Sequence, residues 1–209
     1  MLDDSSAMAL SLKCPNCQAY LSTNDAGSST INPFSSSPGA AILVRYKNEG
    51  GFQPDLDILP SIIEEAYLTN HPEARPARAF LSMCSEGDAD GIVELLATVD
   101  GDEEAGLDLA SVIKYQDPLS GMKSALHLAV EQGQVEVALL LLWLSSAIPS
   151  ESFPDAARRV AESAGVGRLP VDSDEEDIRR LKDSNGLTPE HLARRLQGPW
   201  VGYLDAGLL

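Results

Sequence analysis

The sequence predicts an all-α fold: a stack of helix–turn–helix repeats with long irregular insertions, behind a disordered N-terminal arm. Three observations lead there. Residues 124–142 (SALHLAVEQGQVEVALLLL) read in order as a helix cap, a small-residue helix, a glycine break and a second apolar helix. Pieces of that layout recur upstream at 78–96 and downstream at 183–193. Hydrophobic residues make up 44% of the chain but aromatics only 5%, so its core must be aliphatic, as closely stacked helices require.

Residues 1–40 are rich in Ser, Asn, Gly and Pro and offer little to bury, so ordering them costs more entropy than burial returns. They form the expected arm. Residues 41–76 are a short segment and linker. Ala40–Tyr46 fits a strand or the start of a helix. Asp55–Tyr67 has helical spacing, with Pro60 near its first turn, and a Pro-bounded linker runs from His71 to Pro76. The repeat domain spans 77–209. It opens with a helix over Arg78–Asp88 ending in glycine and a partner helix over Asp90–Leu96. An acidic loop at Asp100–Glu104 and a turn at Asp117–Gly121 lead into the clear repeat. A helix over Phe153–Val166, a second acidic loop at Asp172–Asp177 and a final unit at Asp183–Ala193 complete the series.

Within the repeats, Ser124 and Thr188 are N-caps that accept bonds from orphan amides. Pro189 suits a first helical position, and Gly133 ends its helix by accepting a positive φ. Leu126, Leu128 and Ala129 supply a thin apolar face. This arrangement resembles the ankyrin repeat, whose pattern is T-P-L-H-L-A-A-x-x-G-H-x-E-V-V-x-L-L-L. The resemblance places His127 and His191 where the family's histidine bonds between neighbouring loops, and gives Cys84 a packing role. It covers 77–209 as a short, divergent array of about three units. The glycines Gly87 and Gly133 lie 46 positions apart and the caps Ser124 and Thr188 lie 64 apart, against a repeat of about 33. The first gap therefore holds an insertion, and the second either a degenerate repeat or one long insertion. Glu190 stands where the family has a buried Leu, which implies the exposed face of a terminal cap.

The resemblance implies a non-catalytic protein–protein interaction module, an adaptor or scaffold rather than an enzyme. By family analogy its partner-binding positions are Lys123, Glu131 and Gln132 in the clear repeat, Ser184, Asn185, Leu187 and Arg195 in the last, and Ser85 and Glu86 in the first. No cofactor is implied. Some fungal arginine methyltransferases carry ankyrin-like N-terminal regions, but their cofactor-binding domain has no counterpart in these residues.

Charge bears on the partner. With 15 basic and 32 acidic residues the net charge is −17, which disfavours nucleic acid and anionic membrane surfaces, since phosphate binding needs Lys and Arg. A basic protein client is compatible with it, steered by the acidic insertions. No apolar run reaches the roughly 18 residues that span a bilayer, and the acidic start lacks the basic segment of a secretory signal. Three cysteines do not suggest a disulfide framework. The expectation is a monomer in the cytoplasm or nucleus.

One motif points elsewhere. Cys14-Pro-Asn-Cys17 is half of a zinc ribbon and lacks a second pair; as a redox pair it lacks a βαβ context. A zinc- or redox-dependent regulator using Cys14 and Cys17 is the alternative reading, beside an inert tail motif. Ser173, followed by Asp174-Glu-Glu176, fits an acidophilic kinase site. No nucleophile elbow, P-loop or G-x-G-x-x-G occurs.

Overall fold

A computed structural model describes Lys13, Tyr20 and residues 41–101, 108–154, 158, 167–171 and 177–209. The N-terminal arm with Cys14 and Cys17, the acidic stretches 102–104 and 172–176 with Ser173, and most of the expected 153–166 helix lie outside these residues. The chain divides into two compact units, Met1–Glu73 and Ala74–Leu209.

The first unit is a hairpin on a helix. Strands β1 (Leu43–Asn48) and β2 (Gly51–Asp57) pair antiparallel, with a register shift between Val44 and Tyr46. Helix α1 (Leu59–Asn70) follows, with Pro60 in its first turn, where no amide donor is needed. Asp57 fixes the junction: its Oδ1 accepts the N–H of Ile42 at 2.9 Å and of Leu59 at 3.0 Å. Ile42, Leu59, Ile62 and Ala66 form a small core.

The second unit is built from helix pairs. Helices α2 (Arg75–Glu86) and α3 (Ala89–Gly101) form the first. The short α4 (Leu109–Ile113) leads to a hairpin of β3 (Gln116–Asp117) and β4 (Lys123–Ser124). Helices α5 (Ala125–Gln132) and α6 (Val135–Ser145) form the second pair, and α7 (Pro189–Leu196) and α8 (Val201–Asp205) the third. The first helices α2, α5 and α7 pack side by side, and α3 packs on α6. Leu126, Ala129 and Val130 of α5 and Phe80 and Cys84 of α2 are fully buried between them.

The first two pairs turn in the same way. Asp88 N–H donates to Met83 O at 3.0 Å and Gln134 N–H to Ala129 O at 2.8 Å, the six-to-one bond of a Schellman ending. Gly87 (φ 84°) and Gly133 (φ 75°) supply the left-handed residue. A Cβ at Gly87 would lie 2.4 Å from Gln134 Oε1, so a larger residue there would displace the Gln134 side chain. Gln134 in turn donates from Nε2 to Ser85 O at 3.1 Å, tying the two turns together.

From Val137 to Ser145 helix α6 is buried at every position but the half-buried Leu139, because residues after it return over its outer face. The Trp143 and Phe153 rings meet edge to face at 5.5 Å, and the Arg168 guanidinium lies 5.2 Å and 5.8 Å from their centroids. Arg168 also donates to Ser146 O and Ile148 O at 2.8 Å. The buried Asp177 accepts from Ala147 N–H at 3.0 Å and holds Arg179 at 2.6 Å. Burial raises the Asp177 pKa, but these bonds outweigh it and hold the carboxyl below its ordinary range. The described parts of 146–181 therefore serve as a cover for α6.

Two expectations are corrected. The fold is mostly helical but not all-α: two small antiparallel sheets are present. β3 and β4 have two residues each, too short for alternation to register in the sequence, and they flank the expected turn at Asp117–Gly121. Asp55–Asp57, read as the start of a helix, belongs to β2, where the Asp57 carboxylate ends the strand by capturing Leu59 N–H.

Leu126→Ala, which empties a fully buried site between α2 and α7, should cost about 2–5 kcal/mol, read as a lower urea midpoint. Leu196→Ala, at an exposed position, should leave that midpoint nearly unchanged.

Candidate functional site

Two loops lie at the N-terminal ends of α5 and α7, and each is organised by one aspartate. In the first, Asp117 accepts from Leu119 N–H at 2.9 Å and the Ser120 hydroxyl at 2.7 Å, and pairs with Arg78 at 2.5 Å. In the second, Asp183 Oδ1 accepts from Asn185 N–H at 2.8 Å and Leu187 N–H at 2.9 Å. Burial works to raise the Asp183 pKa, but the Leu187 and Asn185 amides hold the carboxyl below its usual range.

Rungs join one loop to the other. Ser184 N–H donates to Gly121 O at 2.8 Å, and Gln116 Nε2 donates to Lys182 O at 2.6 Å. The central rung is His127. Its Nδ1 accepts from Ser124 N–H at 3.2 Å with the Ser124 hydroxyl at 2.7 Å, which fixes the proton on Nε2. Nε2 then donates to Leu187 O at 2.9 Å. The ring is fully buried, and desolvation is the main cause holding its pKa below the ordinary value.

The predicted binding residues fall on this frame unevenly. Ser184 and Asn185 are exposed at the second tip, beside the first. Leu187 is half-buried and contributes scaffold through its amide and carbonyl. Lys123 spends its ammonium on Glu131 at 2.6 Å, along the length of α5. Gln132, Glu86 and Arg195 are exposed near the C-terminal ends of α5, α2 and α7, and Glu86 takes the Ser82 hydroxyl at 3.1 Å. The Ser85 carbonyl is used by Gln134. Tips and helix ends are thus two regions, separated by the roughly 12 Å length of an eight-residue helix. Met122, exposed at the first tip with φ 58°, was missed. Its position after Gly121 in the hairpin is the signal that marks it.

An open groove of about 850 Å³ lies beside the last unit, lined by Gln116, residues 179–182, Thr188, Glu190, His191 and Leu209. Glu190 is half-exposed and ion-paired to Arg194 at 2.8 Å, in keeping with a terminal position. The sequence held a hint of this basic lining. Residues 177–209 carry five Lys and Arg against four Asp and Glu, while the first 176 carry ten against 28.

No family model, curated protein or solved structure matches the chain. Among the described residues no helix is long and apolar enough to cross a membrane, and no group of three or more His, Cys, Asp or Glu is placed to hold a metal ion. Cys84 is fully buried in the core, where desolvation pushes its thiol pKa far up and leaves it a packing residue.

His127 gives a pH test. Below about pH 6.5 the unfolded chain takes a proton that the folded ring resists, so stability is full above that pH and is lost as pH falls toward the lower folded value. Urea midpoints should decline as the pH falls below about 6.5, the ordinary value of a free histidine. His127→Ala loses the capping-box side chain and the Leu187 rung together; it should be about 2–4 kcal/mol less stable at neutral pH and show a flatter pH slope.

Proposed function

We propose that Ala74–Leu209 is a non-catalytic, ankyrin-like protein-recognition module, an adaptor or scaffold that binds its partner across the loop tips and the exposed edge of α2, α5 and α7. The observation that supports this most is the rung from His127 Nε2 to Leu187 O at 2.9 Å. With the Ser184–Gly121 and Gln116–Lys182 bonds it holds two loops at fixed spacing. A preorganised surface loses little conformational entropy on binding. Met122, Ser184 and Asn185 are exposed on it, and the Asn185 side chain is steadied by a hydrogen bond to the Asp183 carboxylate.

The −17 charge favours a basic client, met first through the acidic insertions. On this reading the chain acts as a monomer in the cytoplasm or nucleus, requires no cofactor, and keeps its cysteines reduced.

Affinity capture followed by mass spectrometry identifies the partner. Met122→Asp combined with Asn185→Arg should release that partner while leaving the thermal midpoint within a few degrees of wild type. Retained binding in this variant would sink the tip surface. If the client is basic, the complex should weaken steeply with salt, and reversal to Lys at Glu103 and Glu104 should abolish it. Full binding at high salt would remove the basic-client half of the proposal.

A further inference from the structure

The last unit repeats the histidine of the unit before it but not that histidine's contact. In α7, Thr188 N–H donates to His191 Nδ1 at 3.2 Å and the Thr188 hydroxyl lies 2.7 Å from the same atom, the geometry seen at Ser124 and His127. A ring nitrogen that accepts a backbone N–H carries no proton, so the neutral His191 ring presents its N–H at Nε2. In the earlier unit that donor meets the Leu187 carbonyl. His191 Nε2 has no partner among the described residues, and the exposed ring lines the open groove.

The groove also carries uncompensated charge. Arg179 is taken by Asp177 and Glu190 by Arg194. Arg180 and Lys182 are exposed, line the same groove, and form no ion pair among the described residues. Between them Leu181 has φ −58° and ψ 137°, an extended conformation. Two residues apart on such a backbone, their Cα atoms stand about 6–7 Å from one another.

We propose that this groove binds an extended acidic peptide segment of a protein partner. A backbone carbonyl of the segment accepts from His191 Nε2 as Leu187 O accepts from His127. Carboxylates at alternate positions pair with Arg180 and Lys182, because alternate side chains of an extended strand fall on one side at the same spacing of about 6–7 Å. Leu181 offers apolar contact between the two pairs. A peptide fits better than a nucleic acid, because a backbone carbonyl reproduces the internal template at His127 and alternate carboxylates match the spacing of Arg180 and Lys182. This site adjoins the loop tips through the Gln116–Lys182 bond but uses the side chains of Arg180, Lys182 and His191, and its charge preference is opposite to that of the basic client, so the two are tested separately.

The test is fluorescence anisotropy on the 209-residue chain with a short labelled peptide of alternating Glu and Thr. Saturable binding is expected, weakened about tenfold by Arg180→Glu with Lys182→Glu. His191→Glu keeps a Thr-x-x-Glu capping box and carries no donor, so binding should fall while the thermal midpoint stays near wild type. Met122→Asp, at the tips, should leave peptide binding unchanged. Equal affinity in wild type and the Arg180/Lys182 variant would overturn the proposal. So would failure of the peptide to bind while a labelled oligothymidylate does.

Discussion

The second unit depends on one buried ring. His127 closes the start of α5 through Nδ1 and reaches the next loop through Nε2, so one side chain joins local capping to the packing of successive units. The Leu187 carbonyl it serves belongs to a loop whose amides are in turn gathered by Asp183. A buried imidazole that accepts an N–H at Nδ1 and donates from Nε2 is neutral and in one tautomer. That couples the stacking of the units to a titratable group, and makes the neutral ring a condition of the fold.

Around that ring the chain manages two departures from regular spacing. The turns at Gly87 and Gly133 are alike in hydrogen bonding and are linked through Gln134, so the first two helix pairs stack in register although their glycines are 46 positions apart. Between them the short α4 buries Val112 and Ile113 in the shared core. After α6 the chain places Ile148, Phe153, Arg168 and Ile178 against an apolar helix that would otherwise face water. An Arg stacked on two rings, with its N–H groups on backbone carbonyls, ties this cover to the end of α6.

The same geometry separates scaffold from surface. Leu187, Lys123 and Ser85 have partners within the molecule, through a carbonyl, an ion pair and a carbonyl respectively, while Met122, Ser184, Asn185 and Gln132 remain at the surface. At the last unit, His191 keeps the capping role but not the rung, and its neighbours Arg180 and Lys182 give an acidic chain a local cationic groove. Net charge describes approach at long range; the groove describes what can be held at close range.

The sequence by itself determined the elements with strong local rules: the caps Ser124 and Thr188, the positive-φ Gly87 and Gly133, Pro189 in a first turn, and the aliphatic face of α5. These follow from steric and hydrogen-bonding preferences within a few residues, so they are legible in one dimension. Only the tertiary structure decided the two hairpins, the cover over α6, the engagement of Lys123 by Glu131 and the meeting of residues 179–182 with His191. β3 and β4 are too short to leave a periodic trace, and the groove joins side chains across a loop with no fixed spacing between them. Whether a polar residue is surface or scaffold depends on which distant carbonyl or carboxylate it finds, and that is a property of the packed chain.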